Sequence, residues 1–153
     1  MEREHTLVLI KPDAVARGLV GAITTRLEQR GLQMIGSKMC RATPEILYRH
    51  YLHLVDKPYY SDIVSSMTTG PLIAQVWSGY GAVAVVRSMI GATNPVDAAP
   101  GTIRGDYGLH VGRNLIHASE NLTCAEEEIK LWFQMTDLCL RDDPLENLIY
   151  RLR

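Results

Sequence analysis

The sequence predicts an α+β fold: a ferredoxin-like βαββαβ sandwich, with helices packed on a four-stranded antiparallel sheet. Its 153 residues suit a single domain, residues 1–153, built around one sizeable core. Apolar segments of strand length alternate with segments of helical periodicity. Their order is β-α-β, a helical excursion, and β-α-β again. Two split βαβ halves of this kind favour that sandwich, with the helices expected on one face of the sheet.

Four segments are predicted to be strands because they are apolar and stop at turn signals or charged residues. They are "TLVLI" (6–10), "LQMIGSKMCRA" (32–42), "PLIAQVW" (71–77) and "RNLIH" (113–117). Between the last two lies "ATNPVDAAPGTIRGDYG" (92–108), which is rich in glycine and proline. We expect a long loop there, and a loop of that length within a compact domain is usually functional or disordered.

Five segments are predicted to be helices from their periodicity and their start and stop signals. They are "VGAITTRLEQRG" (20–31), "TPEILYRHYLHL" (43–54), "SDIVSSMTTG" (61–70), "AVAVVRSMIG" (82–91) and "LTCAEEEIKLWF" (122–133). Gly31 predicts a glycine stop for the first helix, and Thr43 and Ser61 are expected N-caps of the next two. In the last helix, Thr123-x-x-Glu126 predicts a capping box.

The composition excludes several classes of protein. A formal net charge of −1 gives no bulk basic character, so no nucleic-acid partner is required. The start "MEREHTLVLIKPD" lacks the layout of a signal peptide, and no apolar run reaches the length of a membrane helix. The three cysteines are scattered, without a C-x-x-C spacing. Reduced thiols in a cytoplasmic protein are therefore expected.

Two motifs have a better explanation than the chemistry that they suggest. "GYGAVA" (79–84) fits G-x-G-x-x-A, but no strand ending in an acidic residue follows, as a dinucleotide-binding unit would require. His50-x-x-His53 could share one helix face, but no third ligand is near in sequence. We interpret this pair as part of a solvated face and predict no metal site formed by protein ligands.

Glu128 is the carboxylate in "CAEEEIKLW" that is expected to face the core. Residues three and four positions apart share a helix face. Those neighbours of Glu128 are apolar throughout, whereas Glu126 and Glu127 each have Lys130 among theirs. A buried carboxylate needs a partner, since leaving it unpaired costs several kcal/mol.

His117 is the natural partner of Glu128, because it lies one tight turn upstream. A carboxylate bonded to one imidazole nitrogen fixes the tautomer and makes the other nitrogen a better nucleophile. Ser119 lies between the two and could bridge them by a hydrogen bond. From the residues alone, a satisfied core histidine with a structural carboxylate remains an equal alternative.

Three cations stand beside apolar elements: Lys11 where the first strand ends, Arg87 within a helix, and Arg104 in the long loop. Each alone could be a surface charge with a buried stem. Together with Thr93 and the loop glycines they could form a phosphate clamp, because guanidinium groups match phosphate oxygens.

Long motifs identify a resemblance to the nucleoside diphosphate kinase family that runs nearly end to end. They are "TLVLIKPDAVARGLVG", "TGP" (69–71), "GATNPVDAAPGTIRGD" (91–106) and "NLIHASE" (114–120). The resemblance implies an enzyme that moves the γ-phosphate of a nucleoside triphosphate to a nucleoside diphosphate. It implies a ping-pong reaction through a phosphohistidine on His117. The rival interpretation is a catalytically weak regulatory or scaffold protein with the same fold.

The resemblance also implies a role for each site residue. The catalytic group is His117, Glu128, Ser119, Lys11 and Tyr51. The nucleotide-binding group is Lys11 and Asn114 at the sugar, Arg87, Thr93 and Arg104 at the phosphates, and Tyr59, Ile63 and Val111 at the base. Magnesium is expected to arrive bound to the nucleotide phosphates.

The resemblance has local departures and implies an assembly. Ala118 and Glu120 stand where the family usually has glycine and aspartate, and Tyr59 replaces the usual phenylalanine. The end of the chain, "NLIYRLR", also departs from the family pattern. By analogy with the family we expect a homo-oligomer, a hexamer in preference to a tetramer.

Overall fold

The computed structural model describes residues 2–150, so the last three residues of "NLIYRLR" lie outside the described part. Its sheet has four strands: β1 (Arg3–Ile10), β2 (Gln33–Cys40), β3 (Leu72–Tyr80) and β4 (Ile116–Ala118). Their order is β2-β3-β1-β4, and every neighbouring pair is antiparallel. The predicted ferredoxin-like α+β sandwich is confirmed.

The helices surround this sheet. They are α1 (Pro12–Ala16), α2 (Val20–Arg30), α3 (Pro44–His50), α4 (Tyr60–Met67), α5 (Ala82–Ile90), α6 (Ile103–Tyr107), α7 (Leu122–Trp132) and α8 (Glu146–Ile149). Short 3₁₀ turns occupy Leu52–Leu54, Pro95–Asp97 and Met135–Asp137. The segment 92–108, predicted to be a loop, therefore contains a turn and helix α6. Among residues 2–150, no helix has both the length and the apolar character needed to cross a bilayer.

The expectation that helices cover only one face of the sheet is wrong. Val8 and Ile10 of β1 pack with α2 and α5 on one face, whereas Leu7 and Leu9 pack with α3, α4 and α7 on the other. Side chains alternate between the two faces of a strand, and all four of these are fully buried. The helical excursion between β2 and β3 supplies α3 and α4, so it covers the second face.

Helix ends follow the predicted signals in some places and not in others. The Thr43 side chain caps α3, and Gly31 ends α2 with a φ of +106°. Helix α4 begins at Tyr60 without a side-chain cap, so Ser61 is not its N-cap. The capping box in α7 is also wrong, because Asn121 is the N-cap and accepts a 2.8 Å bond from the Cys124 N–H. Thr123 is already inside that helix.

Strand β4 is shorter than predicted, and this brings the polar residues together. It pairs only three residues with β1, setting Ile116 beside Ile10 and His117 beside Leu9. Before it, Leu115 has a φ of +74°, which takes the chain out of the extended conformation. The end of β1, the chain before β4, and α7 therefore meet around His117.

Candidate active site

His117 lies at the centre of the site, paired with the carboxylate predicted for it. Its Nε2 is 2.8 Å from Oε1 of Glu128. The His117 side chain is 19% exposed and that of Glu128 14%, so the pair is largely shielded but open to one side. The helix-face prediction holds as well, because Glu126 and Glu127 are exposed.

Ser119 holds the Glu128 carboxylate by a hydrogen bond. Its Oγ donates to the same Oε1 over 2.9 Å and accepts from the Leu7 backbone N–H over 3.2 Å. Ser119 is fully buried, so these bonds tie the carboxylate to the central strand β1. Burial raises the pKa of Glu128, while the bond from Ser119 acts in the opposite direction.

His117 is a neutral base whose free nitrogen is identifiable. Burial holds its pKa well below the ordinary 6.5, and the charges of Lys11, Arg104 and Arg87 lower it further. Because Glu128 Oε1 already accepts a bond from Ser119, it acts as an acceptor for His117 too, which places the imidazole proton on Nε2. Nδ1 then keeps an unshared electron pair, the requirement for a nucleophile.

The three predicted cations converge on His117. Lys11 follows β1, and its Nζ donates to Asn114 Oδ1 over 2.7 Å. Arg87 on α5 reaches the Ala118 carbonyl at 3.4 Å. Burial, and then the charge of Arg104, lower the pKa of Lys11 to about 8. Such mutual repulsion among cations is relieved when an anion enters.

Arg104, one of the cations predicted to bind phosphate, is also held by the backbone around the site. Its guanidinium donates to three backbone carbonyls: Gly91 at 3.1 Å, Asn114 at 3.1 Å and Ile116 at 2.6 Å. A guanidinium has five N–H groups, so two remain for an incoming anion. Burial, then the charge of Arg87, lower the pKa of Arg104 to about 10, so it is charged at neutral pH.

Asn114 links the long loop to the site. It is 5% exposed, and its Nδ2 donates to the Thr93 carbonyl over 3.0 Å while its Oδ1 accepts from Lys11. Thr93 itself is exposed, so its hydroxyl is accessible to a ligand. The loop backbone at 93 is therefore fixed next to the cations.

The remaining predicted residues are Tyr51, Tyr59, Ile63 and Val111, of which Tyr51 lies near His117. Tyr51 is buried, its ring centroid is 6.3 Å from that of His117, and its hydroxyl has no partner among residues 2–150. Burial raises its pKa above the ordinary value of 10. Tyr59 and Val111 are 47% and 48% exposed, while Ile63 packs at the edge of the core.

Two site residues were missed or misinterpreted. Asp13 accepts a 3.1 Å bond from the backbone N–H of Leu115. His50 is 6% exposed and its ring lies 4.3 Å from that of His117, centroid to centroid. The solvated-face interpretation is thus wrong for His50, although it holds for the exposed His53. The apolar neighbours of His50 on its helix, Ile46 and Leu47, were the available signal.

His50, His117 and Glu128 offer donor atoms that all lie within 4.8 Å of one another, a spacing that could hold a metal ion. The Trp132 Nε1–H donates to His50 Nδ1 over 3.0 Å. Indole is only a donor, so Nδ1 must be the acceptor and Nε2 carries the proton. Neither nitrogen of His50 then has a free electron pair for a metal.

Comparisons with known proteins give one consistent result. A family model described as nucleoside diphosphate kinase matches residues 4–138. Nucleoside diphosphate kinase A of Rattus norvegicus is 47% identical over 96% of this chain and 97% of its own length. A nucleoside diphosphate kinase of Brugia malayi is 49% identical over 97% of each chain. A nucleoside diphosphate kinase of Halobacterium salinarum, solved in complex with CDP, superposes with a TM-score of 0.95 at 46% identity. That superposition covers 97% of this chain and 99% of the halophilic one.

These matches cover nearly the whole length of both partners at an identity that shows common descent. The chain therefore belongs to the nucleoside diphosphate kinase family, the enzymes that transfer phosphate from a nucleoside triphosphate to a nucleoside diphosphate.

Proposed function

We propose that Nδ1 of His117 is the nucleophile that carries the phosphoryl group between the two nucleotides. The observation that carries this proposal is the 2.8 Å bond between His117 Nε2 and Glu128 Oε1. It leaves Nδ1 as the only ring nitrogen with a free electron pair. Lys11, Arg87 and Arg104 all act electrostatically on that ring, as an acceptor of phosphoryl groups requires.

The transfer runs in two balanced steps. In the first, the Nδ1 electron pair forms a bond to the γ-phosphorus, and the bond from phosphorus to the bridging oxygen breaks, releasing a nucleoside diphosphate. In the second, a terminal oxygen of another nucleoside diphosphate attacks phosphorus and the N–P bond breaks. Glu128 accepts the Nε2–H throughout, so it stabilises the positive charge that the ring gains in the first step.

The nucleotide is placed by the groups around this centre. Arg87, Arg104 and the Thr93 hydroxyl bind its phosphates, and Lys11 and Asn114 reach the sugar, Lys11 also lying near the transferred group. The base stacks on Tyr59 beside Ile63 and Val111, and Tyr51 lies close to the reaction centre. Stacking uses the π-face that every base has, so broad tolerance of the base is expected.

Magnesium is proposed to enter on the nucleotide, coordinated by phosphate oxygens. The one cluster of metal-ligand type among residues 2–150 contains two imidazoles and a carboxylate, whereas magnesium prefers oxygen ligands. Bound to the phosphates, the ion would neutralise negative charge during transfer. The protein side chains then need only to position the nucleotide and the histidine.

Incubation with γ-labelled ATP and magnesium tests the role of His117. The protein should acquire label that is labile to acid and stable to alkali, and a later addition of unlabelled nucleoside diphosphate should remove it. His117→Ala should not label, whereas His53→Ala, a change of the same kind at an exposed site, should label like wild type. A wild-type protein that never labels would favour the scaffold alternative. Labelling and turnover by His117→Ala would assign the nucleophile elsewhere.

A homo-oligomer, hexameric in preference to tetrameric, is the proposed assembly. Exposed apolar side chains support an association: Leu109 is 88% exposed, Val96 73% and Met39 63%. Mass measurement in solution decides between the states.

The cytoplasm is the proposed compartment, since Cys40, Cys124 and Cys139 are all free thiols. Imaging of the tagged chain tests that location.

A further inference from the structure

His50 ends helix α3 between two aromatic rings of the site. Its ring centroid lies 4.3 Å from that of His117 and 5.7 Å from that of Trp132, with interplanar angles of 75° and 81°. Edge-to-face contacts of this kind restrict the rotation of both rings. Among residues 2–150, the His117 ring makes one hydrogen bond, through Nε2, and the contact with His50 adds a second restraint on its plane.

Trp132 fixes the protonation of His50. Its indole N–H donates to Nδ1 over 3.0 Å inside the core, which leaves the proton of the neutral ring on Nε2. Burial, and then the electrostatic interaction with His117, lower the pKa of His50 to about 3. The ring therefore stays in one neutral tautomer over the whole working range of pH.

The fixed tautomer limits what His50 can do. Its Nε2–H is buried and has no partner among residues 2–150. A ring without a free electron pair cannot serve as a general base or as a metal ligand. It can, however, present a permanent dipole and a rigid edge to the reacting imidazole. A buried donor left without a bond destabilises the fold, and such unpaired groups occur at functional sites.

We propose that His50, held in a single tautomer by Trp132, is a positioning residue that keeps the plane of His117 aligned for phosphoryl transfer. This role rests on the proposed function of His117. Without His50, the imidazole of His117 can rotate about its bond to Cβ, and Nδ1 moves off the line of attack. Nucleotide binding depends on other residues, so it should change little.

Two variants distinguish the contribution of the His50 ring from that of its hydrogen bond with Trp132. His50→Phe keeps an aromatic ring but removes both nitrogens, and Trp132→Phe keeps His50 but removes the indole N–H. His53→Gln is the matched control, since it alters an exposed histidine of the same segment. Single-turnover phosphorylation by γ-labelled ATP and magnesium gives the rate of His117 modification and the ATP concentration for half-maximal rate. Nitrogen-15 NMR on labelled histidines reports the tautomer. The His50 signals are assigned by their absence from the spectrum of His50→Phe.

The expected rate falls on the order of tenfold in His50→Phe and by a smaller factor in Trp132→Phe. The half-saturating ATP concentration should stay at the wild-type value, and His53→Gln should match wild type in both. NMR should find the proton of His50 on Nε2 in wild type and on both nitrogens in exchange in Trp132→Phe.

Three results overturn the role of His50. One is a wild-type rate in folded His50→Phe. Another is a wild-type NMR spectrum with the His50 proton on Nδ1. The third is a parallel loss of rate, ATP affinity and thermal stability in both variants, which indicates a structural residue only. If His50→Phe does not fold, Trp132→Phe and the wild-type tautomer still decide. A wild-type protein that is never phosphorylated contradicts the proposed function instead.

Discussion

The carboxylate of Asp13 accepts a 3.1 Å hydrogen bond from the backbone N–H of Leu115, 102 residues further along the chain. Leu115 has a φ of +74°, unusual for a residue other than glycine, and its neighbours close a turn through the 2.8 Å bond from Ile116 N–H to Asn114 O. This is the strained kind of γ-turn. The Leu115 carbonyl also accepts from the Lys11 N–H at 2.8 Å. The strained turn directly before His117 is thus held through both the N–H and the C=O of Leu115.

Asp13→Ala should lower the free energy of unfolding by about 1–3 kcal/mol, because it leaves the Leu115 N–H unpaired in a partly buried position. Phosphorylation of His117 should slow as well, since the turn can relax. Asp13→Asn keeps an acceptor oxygen and should lose less of both. Chemical denaturation and single-turnover labelling measure the two effects. Equal stability of the alanine and asparagine variants would show that the bond does not hold the turn.

Glu128→Gln should slow phosphorylation on the order of 10²-fold while nucleotide binding stays nearly intact. The amide can still meet Nε2 but carries no charge to balance the imidazole cation that forms. Single-turnover labelling gives the rate, and calorimetry with a nucleoside diphosphate gives the affinity. Glu127→Gln is the matched control on the exposed face. A collapse of binding in Glu128→Gln would mark Glu128 as structural.

The pH dependence of kcat/KM should show a loss of activity above about pH 8. Lysine is charged below its pKa, and burial with Arg104 lowers that of Lys11 to about 8. Its positive charge is therefore present at neutral pH and lost as pH rises through 8. Since kcat/KM reports groups of the free enzyme, the decline should begin there. Lys11→Arg should move it to higher pH, because arginine keeps its charge. A wild-type profile that stays flat to about pH 10 would contradict this assignment.

Arg104→Lys should cost more stability than Arg87→Lys, although both conserve charge. Arg104 is 4% exposed and joins three carbonyls, whereas Arg87 reaches one at 3.4 Å. A lysine ammonium cannot reproduce the planar arrangement of these three hydrogen bonds. We therefore expect Arg104→Lys to lower the free energy of unfolding by about 2–4 kcal/mol. Urea denaturation of both variants measures the difference. Equal midpoints would mean that the three bonds contribute little.

The part of the site that could be predicted from sequence depends on local periodicity. Glu128 was identified because helical spacing shows which residues share a helix face. His117 was identified as its partner because it is close to Glu128 along the chain. His50 has the same kind of signal, but its partner Trp132 lies 82 residues away, and no local pattern connects the two. The bond from Asp13 to Leu115 spans 102 residues, so only the folded chain reveals it.

Some features of the fold, like some of the site, could be predicted from the sequence and others could not. The strand order follows from the sequence of elements, and the buried runs of β1 and β3 were recognisable as strands. The second helical layer was missed, although the signal was present: an apolar run without alternation, such as that of β1, is typical of a strand covered on both faces. Strand β4 begins only at Ile116 because Leu115 leaves the extended region, and a leucine in sequence gives no sign of a positive φ.

The start of α7 offers the clearest test of a sequence rule against the structure. Thr123 and Glu126 match the spacing of a capping box, but the Asn121 side chain caps the helix two residues earlier. Asn121→Ala should therefore lower the free energy of unfolding by about 1 kcal/mol, and Thr123→Ala by clearly less. Urea denaturation of the two variants makes the comparison. A larger loss of stability in Thr123→Ala than in Asn121→Ala would support the capping box predicted from sequence. Because α7 carries Glu128, fraying at Asn121 should also slow phosphorylation slightly, and Thr123→Ala should leave that rate unchanged.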